Sequence, residues 1–213
     1  MDPDRLNDWR PLFERALAIL DEAGRVAGPL TWSFGGGTVL MLRHRHRYSH
    51  DVDIFVPDPQ WLGYLSPRLN TVAESLASNF IEGAEFLKVS FPEGEIDFVA
   101  AGWLTPEPFR PERLFERDIN VETSAEIVGK KLWFRAESFK ARDLYDLATV
   151  IELDPGALRE IAPLVREKGP VILELAARKG EVMKEDFEAL ERYGEERSFE
   201  RCLEVVRKHV RGE

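Results

Sequence analysis

Residues 34–56 read FGGGTVLMLRHRHRYSHDVDIFV, and this run constrains the fold more than any other. Upstream of the glycines, Leu30, Trp32 and Phe34 alternate with Thr31 and Ser33, which is strand periodicity. Gly35, Gly36 and Gly37 break that strand, and TVLMLRHR reads as a short helix. DVDIFV is a second strand, closed by Pro57. Asp51 and Asp53 are two apart, so their side chains share one face while Val52, Ile54 and Val56 point into a core. Two neighbouring carboxylates repel each other and are hard to keep ionised without a counter-charge. They either guard an exposed strand edge or hold a hard divalent cation such as Mg²⁺, whose oxygen shell phosphates complete. A glycine turn leading into a helix lets backbone N–H groups approach phosphate oxygens, although most such turns are plain turns. Asp97, between Ile96 and Phe98 in EIDFV, is either an exposed-face residue or a third metal ligand.

The remaining pattern predicts an α+β chain, with a mixed sheet flanked by helices and then a helical C-terminal half. Residues 6–26 and 67–79 read as helices, and FLKVSF with EIDFVAA as a hairpin turning at Pro92-Glu93-Gly94. After residue 102 strand patterns largely stop. Segments near 123–136, 139–153, 156–168, 170–179, 182–193 and 198–211 read as helical, with Lys168-Gly169-Pro170 as a stop and restart. The prolines of TPEPFRP set a boundary near residue 105, dividing 1–105, with the acids, from 106–213. A net charge of −10 excludes a whole-surface basic footprint for nucleic acid. The exception is local: Arg43, His44, Arg45, His46 and Arg47 cluster just before the acid pair. They are either a solvated helix end or contacts for an anion. The lone Cys202 excludes an intrachain disulfide and a Cys-built zinc site, and no apolar run reaches the ~18 residues of a membrane span. His44, His46 and His50 have no metal-ligand spacing with it. A reducing, cytoplasmic setting is expected.

The second half places charge on apolar faces. Thr123-Ser124-Ala125-Glu126 fits a capping box. On a helical wheel started at Ile127, Lys131 and Arg135 fall at about 40° and about 80°, inside the apolar arc, with Lys130 on its edge. Such cations either pair internally or snorkel, or they meet an anion. In RDLYDLATVIE, Asp143 falls inside the apolar arc and Asp146 at its margin. Asp143 therefore reads as the inward acid, pairing with Lys131 or Arg135 or acting on substrate.

Taken together, Gly36-Gly37, the pair Asp51 and Asp53, and the distant Asp97 resemble the polymerase-β-type nucleotidyltransferase superfamily. The nearer resemblance is to the AbiEii/AbiGii toxin family. It is carried by Gly36-Gly37-Thr38, by Arg47-Tyr48-Ser49-His50-Asp51-Val52-Asp53, by Lys130-Lys131, and by Arg142-Asp143-Leu144-Tyr145-Asp146-Leu147. It covers roughly residues 30–153. The resemblance implies a polymerase-β-like core whose active-site cleft the helical part completes. It implies Mg²⁺-dependent transfer of a nucleoside monophosphate from an NTP to an acceptor hydroxyl at a two-metal site, with Mn²⁺ as a substitute. Asp51, Asp53 and Asp97 would hold metal, and Lys131 and Asp143 would serve catalysis. Gly36, Gly37, Thr38, Arg47, Ser49, Lys131 and Arg135 would meet the nucleotide. The implied partners are an RNA acceptor, tRNA foremost, and a cognate antitoxin, with no membrane. A small-molecule or protein acceptor, or a nucleotide-binding module without turnover, are the alternatives.

Overall fold

A computed structural model of the chain describes residues 3–193 and 197–212. It divides into two compact units. One holds residues 1–39, 49–103 and 109–122; the other holds 40–48, 104–108 and 123–213.

The first unit is built on α1 (Arg10–Ala27), β1 (Ser33–Gly35), the start of α2 (Gly36–His44), β2 (Val52–Val56), α3 (Gln60–Leu65), α4 (Thr71–Leu76), β3 (Asn79–Glu82), β4 (Phe86–Phe91), β5 (Gly94–Ala100), β6 (Phe109–Leu114) and β7 (Arg117–Glu122). The strands form one mixed sheet in the order β3-β4-β5-β2-β1-β7-β6. β2 runs parallel to β5 and β1 parallel to β7; the other neighbours are antiparallel. α1 buries Leu12, Phe13, Ala16, Leu17, Ile19, Leu20 and Ala23. Trp9, Phe13, Phe34 and Phe115 stack into an aromatic cluster with ring centroids 4.5–5.8 Å apart.

The strand after Gly28 is shorter than its alternation predicts. Only Ser33–Gly35 finds partners, with Phe34 opposite Ile54 on β2 and Val121 on β7. Strands also continue past residue 102, contrary to the sequence expectation. β6 and β7 form a hairpin that adds to the sheet beside β1. β6 is exposed along most of its length and carries Pro111, so it has no apolar alternation to read.

The second unit is helical: the end of α2, α5 (Ser124–Arg135), α6 (Ala141–Leu153), α7 (Ala162–Glu188) and α8 (Phe199–Arg211). Thr123 caps α5 as predicted, its Oγ1 accepting the Glu126 N–H at 3.2 Å. The helices expected at 156–168, 170–179 and 182–193 are largely one element, α7, which carries Pro170 inside it and bends at Gly180 (φ 43°). Gly169 lies against Val210 of α8, where a Cβ would collide. Phe187, Phe199, Tyr145, Leu144, Ile172 and Cys202 are buried in this unit's core. Burial pushes the Cys202 thiol up to about 12, so it is inert packing rather than a nucleophile. Among the described residues no helix is long and apolar enough to cross a membrane.

Candidate active site

In the first unit, the parallel pairing of β2 with β5 sets Asp53 directly opposite Asp97. Their strand neighbours Val52, Ile54, Ile96 and Phe98 are buried, so both acids face away from the core. Asp51 stands one residue ahead of β2, rather than within it, and is half-buried. Gly36 opens α2 with φ 72°, and any Cβ there would overlap the Asp53 carboxylate. The glycine is thus required by the close approach of an acid as well as by the turn. Burial pushes the Asp97 carboxyl upward. The Lys88 ammonium opposes this, and the charges of Asp51 and Glu95 add to it. Lys88, the register partner of Asp97 on β4, lies 3.1 Å from its Oδ1 and bonds Glu95 at 2.5 Å. Among the described residues, no three His, Cys, Asp or Glu side chains form a ready-made metal cage. The donor chemistry nonetheless fits a hard divalent cation, because Asp51, Asp53 and Asp97 offer carboxylate oxygens alone.

Thr38 is fully buried, and its Oγ1 donates to the Asp51 carbonyl at 2.5 Å. It braces the backbone of the acid pair. Gly37 lies in the first turn of α2. Ser49 lies in coil ahead of β2, so strand alternation does not extend to it.

The second unit holds a buried ionic cluster. Lys131 Nζ donates to Asp143 Oδ1 at 2.6 Å and to Asp146 Oδ2 at 2.7 Å. Arg47 forks the same Asp146, Nε to Oδ1 at 2.6 Å and Nη2 to Oδ2 at 2.8 Å. Nη1 of Arg47 also donates to the Tyr48 carbonyl. His46 Nε2 lies 2.6 Å from Asp146 Oδ1. A short antiparallel pairing fixes this segment. Tyr48 N–H donates to the Glu191 carbonyl, Tyr193 N–H donates to the His46 carbonyl, and Arg47 bridges Arg192. Asp143 also accepts the Lys140 N–H at the start of α6, where the helix dipole favours an anion. Arg135 Nη1 is 3.8 Å from Asp143, and its side chain is 40% exposed. It is the cation of this cluster that solvent reaches.

Burial alone would raise both acids. Lys131 and Arg135 hold Asp143 below its ordinary value, and Arg47 and Lys131 with two hydrogen bonds hold Asp146 well below it. Burial lowers the His46 imidazole, with Arg47 and Lys131 adding, although Asp146 opposes. The unfolded chain therefore takes up a proton at His46 from about pH 6.5 downward, before the native state does. Stability should fall as pH drops below about 6.5, and His46→Gln, which keeps a donor for Asp146, should flatten that part of the curve. Melting temperatures across this range test it, and equal slopes in both proteins would refute it.

Several expectations change here. Arg47 is committed to Asp146 instead of standing open toward phosphate. The 43–47 cluster is not one basic surface: Arg45 is exposed, Arg43 and His44 are half-buried, and His46 and Arg47 are buried. Lys130 is as enclosed as Lys131, pairing with Glu126 at 3.3 Å. Glu126 in turn accepts the backbone N–H groups of Leu104 and Thr105, so Lys130 sits in a structural tie. Phe134, next to Arg135 on the same helix, is exposed. Asp146 is the hub of the cluster although the wheel ranked it behind Asp143. The repeated acid of Arg142-Asp143-Leu144-Tyr145-Asp146-Leu147 was the signal for it. Lys88, and the buried Glu122 that accepts the Ser33 hydroxyl at 2.8 Å, carried no such signal.

Acids on a mixed sheet behind a glycine turn, followed in sequence by a helical unit, define a nucleotidyltransferase-like fold. Two solved structures share it across nearly the whole chain. One is JHP933 from Helicobacter pylori, 14% identical with TM-score 0.57, covering 99% of this chain and 92% of that one. The other is described as a candidate nucleotidyltransferase from H. pylori, 13% identical with TM-score 0.57, covering 99% and 95%. No curated protein matches the sequence. Residues 18–204 match the family described as nucleotidyl transferase AbiEii toxin, type IV TA system, and the chain belongs to that family. Its chemistry is nucleotidyl transfer, a reaction for which enzymes generally use divalent metal. The family's type IV toxin–antitoxin membership implies a nucleotide substrate and an antitoxin partner.

Proposed function

We propose that the chain is a cytoplasmic, Mg²⁺-dependent toxin that moves a nucleoside monophosphate from an NTP to an RNA hydroxyl, with tRNA the favoured acceptor. The observation that carries this reading is the register of Asp53 against Asp97, with Asp51 adjoining and Gly36 pressed against Asp53. Asp51, Asp53 and Asp97 would hold the metal. A bound divalent pair lowers the pKa of an acceptor hydroxyl and neutralises phosphate charge. The new bond joins the acceptor oxygen to the α-phosphorus, the bond to the bridging oxygen breaks, and pyrophosphate leaves. Backbone N–H groups at the start of α2, where Gly36 and Gly37 lie, would meet phosphate. Lys131 meets triphosphate charge, held in place by Asp143 and Asp146, and Arg135 supports it from the exposed side of the cluster.

The test incubates the protein with each labelled NTP, Mg²⁺ and total cellular RNA. Label in RNA with release of pyrophosphate supports the reading. Label in protein or in a small molecule moves the acceptor, and NTP binding without pyrophosphate release leaves only a binding module. In the same assay Lys131→Ala should raise the NTP requirement by roughly a hundredfold or more, since a charge-assisted phosphate contact in a dry site is worth several kcal/mol. Lys130→Ala should have a smaller effect on NTP use, although each variant breaks a buried ion pair and should lower the melting temperature. The reverse ranking would overturn the assignment of Lys131.

A further inference from the structure

The C-terminal turn of α5 presents Trp133 and Phe134 to solvent at 54% and 55% exposure, the two most exposed aromatic side chains among the described residues. Adjacent helical residues point roughly 100° apart, so both can be exposed only where the helix leaves a broad face uncovered. That face is concave. Trp133, Phe134, Arg135, Ser138, Lys168 and Val171 line an open pocket of about 430 Å³, within the ~300–1,000 Å³ typical of ligand sites. Lys168 Nζ stands 5.8 Å from the Trp133 ring centroid, and Arg135 gives the pocket a second cation. Glu137 is the one carboxylate in its lining, and Lys168 also pairs with Glu167, outside the lining, at 2.9 Å.

We propose that this pocket binds the unpaired end of a single-stranded RNA, with bases stacked on Trp133 and Phe134 and backbone phosphates met by Arg135 and Lys168. The proposal rests on the RNA-acceptor reading above and locates part of that recognition. Exposed aromatic rings among cations are what single-stranded nucleic acid needs, and Lys168 already lies over the Trp133 ring. Every base has a π-face, and every linkage a charge. Phosphate would complete Arg135 on its open side, since it meets Asp143 only at 3.8 Å and its side chain stays 40% exposed. The pocket also adjoins the ionic cluster. Arg135 lines it while approaching Asp143, and Trp133 and Phe134 follow Lys131 on the same helix, within one turn.

The experiment measures binding of a short fluorescein-labelled single-stranded RNA to the full chain by anisotropy, alongside NTP use in the transfer assay. Trp133→Ala and Phe134→Ala should each weaken RNA binding about tenfold or more. Trp133→Phe should retain most of the affinity, because a phenyl ring still stacks. NTP requirement and melting temperature should not move, as both rings are exposed. The same RNA annealed to its complement should bind more weakly and respond little to either variant. Undiminished RNA binding by both alanine variants would overturn the pocket while leaving RNA as acceptor. Changes confined to NTP use would assign the pocket to the nucleotide base, and changes confined to inhibition by the antitoxin would assign it to a protein; either overturns the proposal. Wild-type protein that neither binds nor labels RNA would remove the acceptor reading itself.

Discussion

Asp146→Ala should destabilise the protein by about 3–5 kcal/mol, the scale seen when one member of a buried ionic network is removed. Asp146 has no solvent exposure and takes contacts from Arg47, Lys131 and His46. Its removal leaves the buried Arg47 guanidinium without its fork and gives Asp143 alone the Lys131 charge. The attraction of these cations outweighs the desolvation of the carboxylate, which is why its pKa lies well below the ordinary range. The stabilisation from Asp146 is therefore complete above about pH 4 and is lost as pH falls toward the depressed value. Chemical denaturation at neutral pH measures the cost. Asp146→Asn, which keeps shape but not charge, should lie between wild type and the alanine variant. A loss near 1 kcal/mol or less, of the size expected for a surface pair, would mean the cluster is not a mutually dependent unit.

The contrast between the two acids of α6 shows where sequence reading reached and where it stopped. A helical wheel separates inward from outward residues only when one face is wet. In α6 every residue from Asp143 to Val150 is buried, so the angle between Asp143 and Asp146 decides nothing. Arg47 was misread for a related reason. Its neighbours in sequence are the acids of β2, but its guanidinium reaches a residue 99 positions away. Local pattern carries no information on such a partner. By contrast, the outward placement of Asp53 and Asp97 was legible because strand alternation is local and their flanking apolar residues are buried, whereas Asp51 lies just ahead of β2. The hairpin of β6 and β7 was missed because β6 is polar and exposed, although β7 alternates buried Ile119 and Val121 with polar neighbours in a run of only six residues. Pro170 read as a stop because it removes an N–H and crowds the preceding turn, at a cost of roughly 3 kcal/mol. The helix continues through it. Gly169 beside it lets α8 approach closely, and that packing is again long-range.

Asp51→Ala should abolish nucleotidyl transfer, by ~10³-fold or more, while leaving the fold intact. Each tenfold loss corresponds to about 1.36 kcal/mol of transition-state stabilisation, so ~10³-fold corresponds to about 4 kcal/mol. One ligand carboxylate at a metal-dependent site supplies stabilisation of that order. The structural cost is small. Asp51 is half-buried, and the contact that fixes its backbone, the Thr38 hydroxyl on its carbonyl, does not involve the side chain. Its negative charge also helps to hold the Asp97 pKa above the ordinary value. Removing it relieves that repulsion, so without metal the melting temperature should stay level or rise. With Mg²⁺ and NTP added, wild-type protein should gain thermal stability by mass action and the variant should gain less. The paired readouts separate a lost ligand from a lost fold, because only a lost ligand leaves the metal-free protein unharmed. Transfer at the wild-type rate by Asp51→Ala would sink the metal assignment for the acid pair. Asp53→Ala gives a second reading of the same site. Because the Asp53 side chain lies on the face away from the core, that variant too should fold and should fail to transfer.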